Sequence, residues 1–258
     1  MTGATANIGR ATALAFAAEG ARVVLAGRDT EAGQRVAELA GQAGAAGVVW
    51  HAADVTDEDA VAGLVSRALE AFGRIDVLVN NVGGNAAVTP FVRSTPAQWR
   101  TDLDLNLTST LLCTHRVLPQ MLERGTGRIV NIGSMAAIIG DPHMAVYSAA
   151  KGAVHAFTRV LALEVGGSGV TVNAIAPYGT IPLDPAAETS SGSRFHPETG
   201  LFARPRAEGE RGFGRRSALP RDFARPEEIG AAAVYLASRH AGFITGQVLQ
   251  IDGGVALT

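Results

Sequence analysis

Short apolar runs alternate with longer stretches of helical spacing along most of the chain. Residues 22–26 (RVVLA), 47–52 (GVVWHA), 75–79 (IDVLV), 127–132 (GRIVNI), 170–175 (VTVNAI) and 247–251 (QVLQI) read as strands. Each is a brief aliphatic or β-branched run bounded by turn residues. Between them, residues 8–19, 31–42, 57–72, 96–123, 144–165 and 226–238 carry apolar positions at a 3.6-residue period, with Thr56 as the expected cap of the third helix. Regular alternation of this kind predicts right-handed βαβ units, a parallel sheet and helices on both of its faces.

One segment breaks the rhythm. Residues 178–225 are rich in Pro, Gly, Ser and Arg and show no sustained period. Between Arg194 and Arg225, arginines 194, 204, 206, 211, 215, 216, 221 and 225 stand against only four acids, Glu198, Glu208, Glu210 and Asp222. A loop of that length inside a compact domain is either a solvated excursion or a functional lid. As a lid, its guanidinium groups suit a carboxylate or phosphate on a substrate.

Composition narrows the class. The 258 residues are 47% apolar and include 31 glycines, while only 18% are charged. That balance excludes a disordered chain and fits strands buried on both faces, so a single domain over 1–258 is expected, with 178–225 as its lid. The 22 basic and 24 acidic residues nearly cancel, which removes a whole-surface nucleic-acid binder. No apolar run is long enough for a membrane helix, and Met1 leads directly into a Gly-rich turn rather than a secretory leader. The single cysteine, Cys113, excludes an internal disulfide framework and a multi-cysteine zinc site, and a reducing cytoplasm is the expected setting. Small residues at Ala149, Ala150 and Ala153 and the apolar last strand point to a homo-oligomer, a dimer or a tetramer.

Candidate chemistry begins at Thr2–Gly9 (TGATANIG), a Gly-rich turn opening a helix. Bare backbone amides and the positive end of a helix suit a pyrophosphate. At the end of the second strand, Gly27 leaves space and Arg28 supplies a charge suited to a ribose 2′-phosphate, which favours NADP; Asp29 could instead hold a 2′-hydroxyl, which keeps NAD open. Tyr147-Ser148-Ala149-Ala150-Lys151 lies on a helix, where i, i+4 spacing places phenol and ammonium on one face. A cation at about 4 Å in an effective dielectric near 20 is worth about 4 kcal/mol, enough to make a phenol a usable proton donor near neutral pH.

Further elements fall at strand ends: Asn80-Asn81-Val82-Gly83, Ser134 after GRIVNIG, and NAIAP ending at Pro177. With Asn106 in DLDLNLT and the tail TGQVLQIDGG, this ordered set closely resembles the short-chain dehydrogenase/reductase family over essentially the whole chain, near its 3-oxoacyl-carrier-protein reductase branch. The resemblance implies a single Rossmann-type, doubly wound parallel sheet that transfers hydride between NADP(H) or NAD(H) and a carbonyl or secondary alcohol. It implies Tyr147 as general acid/base, with Lys151 tuning it and holding the nicotinamide ribose. Ser134 would hydrogen-bond the substrate oxygen, and Asn106 would anchor a water relay to Lys151. For the cofactor it implies Gly3, Asn7, Ile8 and Gly9 at the pyrophosphate turn and Arg28 at the ribose. Asp54 and Val55 would lie beside the adenine, Asn80 and Gly83 on the ribose side, and Pro177 and Thr180 near the nicotinamide.

Three departures from that pattern stand out. The apolar strand expected before the Thr2–Gly3 turn has almost no residues here, so the sheet's first strand is expected to be missing or truncated, with the natural start upstream of Met1. Val82 replaces the usual alanine. Tyr178 stands where a glycine usually follows the proline. Rival chemistries lack their residues: Ser134 and Ser168 have no nucleophile elbow, and no P-loop Gly-Lys-Ser/Thr occurs. Among the histidines, His115, His143 and His155 read as packed or surface residues rather than metal ligands, with His143 a candidate border of the substrate pocket. The rival from another class is a catalytically silent NADP(H)-binding regulator of the same fold. The substrate is either an anionic 3-oxoacyl thioester or a neutral cyclic ketone or alcohol.

Overall fold

In the computed structural model, residues 1–189, 196, 198 and 215–257 are described. Arginines 194, 204, 206 and 211, and most of the expected lid with them, lie outside the described residues. Six parallel strands are present among those described. β1 (Arg22–Gly27) pairs with β2 (Gly47–Ala52), while β3 (Val77–Asn80), β4 (Gly127–Ile132), β5 (Val170–Pro177) and β6 (Val248–Ile251) form a four-stranded sheet in that order.

Met1 and Thr2 stand in the slot between the two sheets, the place of the first strand expected to be missing or truncated. The Met1 amine donates to the Val24 carbonyl at 2.8 Å, and the Ala26 amide donates to the Met1 carbonyl at 3.0 Å. On the other side the Thr2 amide donates to the Val79 carbonyl at 3.1 Å. These two residues join β1 to β3 at the end where the Gly-rich turn begins. A parallel sheet delivers ligand-facing loops at its carboxyl ends, and Met1 and Thr2 lie at that end.

Helices cover both faces, as the alternation predicts. On one side α1 (Asn7–Ala18), α2 (Thr30–Gln42) and α9 (Pro226–Ala237) bury Ala13, Ala17, Val36, Ala40, Ile229 and Leu236 against Leu25, Val79 and Val130. On the other, α3 (Glu58–Phe72), α5 (Ser109–Arg124) and α7 (Ala145–Val165) bury Val61, Leu64, Val117, Met121, Leu161 and Val165 against Leu78, Ile129 and Val172. Adjacent strand residues such as Leu78 and Val79 serve opposite cores, which is why these strands read as continuous apolar runs rather than alternating ones.

Two local expectations are corrected. Asp57 rather than Thr56 caps α3, accepting the Ala60 amide at 2.7 Å, because Thr56 is occupied with Asp54. The continuous helix over 96–123 is instead α4 (Pro96–Leu103), a π turn over Asp104–Thr108, and α5. There the Ser109 amide reaches back five residues to the Asp104 carbonyl, and the Asn106 side chain takes the Asp102 carbonyl at 2.8 Å. Two one-turn helices, α6 (Ala136–Ile139) and α8 (Pro185–Glu188), complete the set. No described helix is long and apolar enough to cross a membrane.

Candidate active site

The Gly-rich turn is fastened from β3. Asn81 Nδ2 donates to the carbonyls of Thr2 and Gly3 at 3.2 and 3.0 Å, and the Asn81 amide donates to Thr2 Oγ1 at 3.1 Å. At its two glycines the turn has no room for a side chain: a Cβ on Gly9 would collide with the Gly3 carbonyl, and one on Gly3 would come within 2.8 Å of Asn81. Asn7 adopts φ +45°, the left-handed region that asparagine tolerates better than most residues. Ile8 follows it in the first turn of α1. Ala6 at the helix start offers no side-chain cap, and the first turn carries no acid. Among the described residues, no side chain caps the leading amides of α1, which fits a diphosphate. Asn7 also reaches across the cleft, its Nδ2 donating to the Thr180 carbonyl at 3.4 Å, while its buried Oδ1 has no partner among the described residues. Arg10, one turn further, pairs with Glu188 of α8 at 3.2 Å.

At the end of β1, Gly27 lies under Thr5, and Arg28 extends into solvent. Arg28 Nη1 stands 3.8 Å from Asp54 Oδ2, so guanidinium and carboxylate share the rim expected to hold the adenosine ribose. Asp29 is committed elsewhere: its Oδ1 caps α2 by accepting the Ala32 amide at 3.0 Å. Burial pushes the Asp54 carboxyl up, but hydrogen bonds from Thr56 and the charge of Arg28 outweigh it and hold the group below its ordinary range. Val55 beside it is buried.

Behind the cleft, one face of α7 meets the end of β4 at several points. Tyr147, Lys151, His155 and Thr158 follow one another at three- and four-residue intervals, and all are buried. Lys151 Nζ donates to the Ile132 carbonyl at 2.7 Å, and Asn131 Nδ2 donates to Thr158 Oγ1 at 2.9 Å. The Ser134 amide donates to His155 Nε2 at 3.4 Å. Ser134 Oγ accepts the Ala136 amide at 3.1 Å, an arrangement that leaves its proton to donate. Burial, then the charges of Lys151 and Arg159, lower the His155 imidazole to about 4.

The π turn completes the floor. Asn106 Nδ2 donates to the Gly84 carbonyl at 2.7 Å, and its Oδ1 accepts the Gly84 amide at 3.1 Å. A Cβ on Gly83 would come within 2.7 Å of Asn106 Oδ1 and 2.9 Å of Lys151 Nζ, so the loop after β3 lies directly on both. Asn106, Gly83 and Lys151 thus meet, and Ser134 is tied to the same helix through His155. Asn80 behaves differently: its Nδ2 donates to Thr114 Oγ1 and Asn131 Oδ1, both at 2.9 Å, so its side chain joins an interior polar chain.

The departures have defined places. Tyr178 lies at the exit of β5, where its amide donates to the Ile251 carbonyl and its hydroxyl accepts the Arg215 amide at 2.7 Å. Burial pushes its phenol up, and Asp141 adds to that against the Arg215 contributions. Arg215 Nη2 donates to the Ile139 carbonyl at 3.2 Å, which sets this arginine across the exits of β4 and β5. Thr180 is buried beside it, and the Pro177 carbonyl accepts the Met135 amide at 3.0 Å. Val82 packs into the core under the turn. His143, at φ +71°, lines a small cavity with Trp99 and Asp102 just ahead of Tyr147.

Comparison with known proteins adds the lineage. A family model described as enoyl-(acyl carrier protein) reductase matches residues 3–256. A 3-oxoacyl-[acyl-carrier-protein] reductase of Synechocystis is 39% identical over 100% of this chain and 96% of its own length. A cis-4-hydroxycyclohexanecarboxylate dehydrogenase of Sinomonas cyclohexanicum is 38% identical over 98% of this chain and 94% of its own. A crystal structure from Burkholderia xenovorans, assigned provisionally as a short-chain dehydrogenase/reductase, superposes with TM-score 0.84 at 32% identity, covering 100% of this chain and 95% of that one.

Proposed function

Since this chain belongs to the short-chain dehydrogenase/reductase family and is an NAD(P)-dependent oxidoreductase, we propose that Tyr147, Lys151, Ser134 and Asn106 carry its reaction. The observation behind this is the meeting of Lys151, Asn106 and Gly83 at the end of β4, one helical turn from Tyr147 and beside Ser134. When bound, the nicotinamide supplies or accepts the hydride. Tyr147 gives its phenolic proton to the carbonyl oxygen in reduction and recovers it in oxidation. Lys151, fixed by the Ile132 carbonyl, stabilises the phenolate left behind and reaches the ribose hydroxyls. Ser134 orients the oxygen by donating a hydrogen bond, and Asn106 holds the π turn and the Gly84 loop around the ammonium.

Gly3, Asn7, Ile8 and Gly9 hold the diphosphate, with Asp54, Val55, Gly83 and the backbone of Asn80 lining the adenosine and ribose side and Pro177 and Thr180 the nicotinamide end. NADP(H) is the preferred cofactor, with NAD(H) secondary, because Arg28 is exposed at the ribose rim while Asp29 is spent on a helix cap. The substrate is a carbonyl or secondary alcohol, either an acyl thioester or a ring. Arg215, set across the two strand exits, favours one that carries a carboxylate or phosphate near the reacting carbon. The exposed apolar residues Leu111, Val160 and Leu163 on α5 and α7, and Phe243 and Leu257 around β6, support a homodimer or homotetramer. The free, buried Cys113 supports a cytoplasmic setting.

A panel of cyclic and acyl ketones, each as free acid and as ester, assayed with NADPH and NADH, tests the reading. Turnover of the acids with NADPH, weakened by added salt, is the expected result. Absence of turnover on every carbonyl, with cofactor bound, would favour the silent regulator.

A further inference from the structure

We infer that His155 is a positioning residue for this reaction: its imidazole receives the Ser134 amide and thereby fixes the serine hydroxyl against the Tyr147–Lys151 face of α7. The inference rests on the catalytic reading above and adds to it a residue that touches neither substrate nor cofactor.

Three polar rungs join α7 to the end of β4. Thr158 accepts from Asn131, Lys151 donates to Ile132, and His155 accepts from Ser134. The first two sit at the level of the strand itself, where β4 is already held by β5 through regular pairing. The third sits beyond it. After Ile132 the chain leaves the sheet, with Gly133 still donating to the Ile175 carbonyl at 2.7 Å and Met135 to Pro177 at 3.0 Å. Ser134, between them, points its amide the other way, toward α7, and His155 is the acceptor it finds. The imidazole is a side-chain link between the serine and the helix that carries Tyr147 and Lys151.

Gly133 shows that this contact is built into the local sequence. A Cβ at position 133 would collide with His155 Nε2 and come within 2.7 Å of Cδ2, so the ring fills the space a side chain would take. The ring is buried, and its Nε2 acts as acceptor, which puts the imidazole proton on Nδ1. Protonation would turn that acceptor into a donor facing the Ser134 N–H. Burial and the neighbouring Lys151 and Arg159 hold the ring neutral down to about 4, so the acceptor persists across the working range. A serine whose backbone can drift loses orientation of the substrate oxygen, and misplacement of a reacting group by about 1 Å costs on the order of a hundredfold in rate.

The test compares His155→Gln, His155→Asn and His155→Leu. Glutamine places an oxygen acceptor near the Nε2 position, asparagine places one near Nδ1, and leucine offers none. Expected is kcat close to the parent for glutamine and a fall of roughly tenfold to a hundredfold for asparagine and leucine. NADPH affinity, read by nicotinamide fluorescence, and the substrate KM stay within about twofold throughout. Where leucine prevents folding, the glutamine–asparagine pair, equal in chemistry and different only in reach, decides alone. Equal kcat in glutamine and asparagine variants overturns the inference, whether both are active or both are impaired. Failure of the catalytic reading is separate, because it would show as turnover surviving Tyr147→Phe.

Discussion

Lys151 holds the carbonyl oxygen of Ile132 at 2.7 Å, which pins its ammonium at the end of β4 instead of leaving it to swing on a flexible stem. A Cβ on Gly83 would come within 2.9 Å of the same nitrogen, so the loop after β3 lies close upon it. Lys151→Met should therefore lower kcat by about a hundredfold or more and weaken NADPH binding as well. Lys151→Arg should not rescue it, because a planar guanidinium cannot occupy a space shaped for a compact ammonium. Steady-state kinetics with fluorescence titration of the cofactor checks both outcomes.

Gly9→Ala tests the diphosphate turn. The added methyl meets the Gly3 carbonyl, a backbone atom that cannot yield without opening the turn. Loss of NADPH binding together with a clear fall in Tm is expected. An unchanged cofactor affinity would show that the turn does not hold the diphosphate.

Arg28→Ala addresses cofactor choice. A charge-assisted hydrogen bond contributes about 1.5–3 kcal/mol, so NADPH should bind roughly ten- to a hundredfold more weakly. NADH has no 2′-phosphate and should bind as before, or slightly better. Parallel titrations of the two cofactors give the ratio directly.

His155 sets a pH dependence of stability. Its imidazole is lowered to about 4 in the folded protein, by burial first and then by Lys151 and Arg159, against 6.5 when free. Between those values the unfolded chain binds a proton that the folded one refuses, so stability falls as pH drops from about 6.5 toward 4. Denaturant unfolding across that window should show the slope in the parent and a shallower one in His155→Gln.

Much of this architecture was legible in the sequence, and the reason is local. Strand and helix periods differ, so 22–26 and 57–72 announce themselves, and the Tyr147–Lys151 spacing needs only one helical turn to become a face. What stayed hidden depends on partners far along the chain. Asn81 is read as part of a strand end, yet it fastens a turn almost eighty residues upstream, through Thr2 and Gly3. Asn131 interrupts an apolar strand, a signal that a buried polar link was needed, but nothing local names Asn80 and Thr158 as its ends. The π turn at Asp104–Thr108 is invisible to periodicity because a single extra residue shifts the register without changing which residues are apolar. Thr56 lost the cap to Asp57 for a similar reason: its hydroxyl is turned back to donate to Asp54, while the Asp57 carboxylate accepts the Ala60 amide.

The proton donor is the most exposed point of the account, and one substitution isolates it. Tyr147→Phe removes a single oxygen from a buried ring and leaves Lys151, Ser134 and the cofactor turn untouched. Single-turnover reduction of a carbonyl substrate, with NADPH binding measured on the same sample, should show intact binding and a hydride-transfer rate lowered by at least a hundredfold. Intact binding with a rate near that of the parent would contradict the assignment of Tyr147.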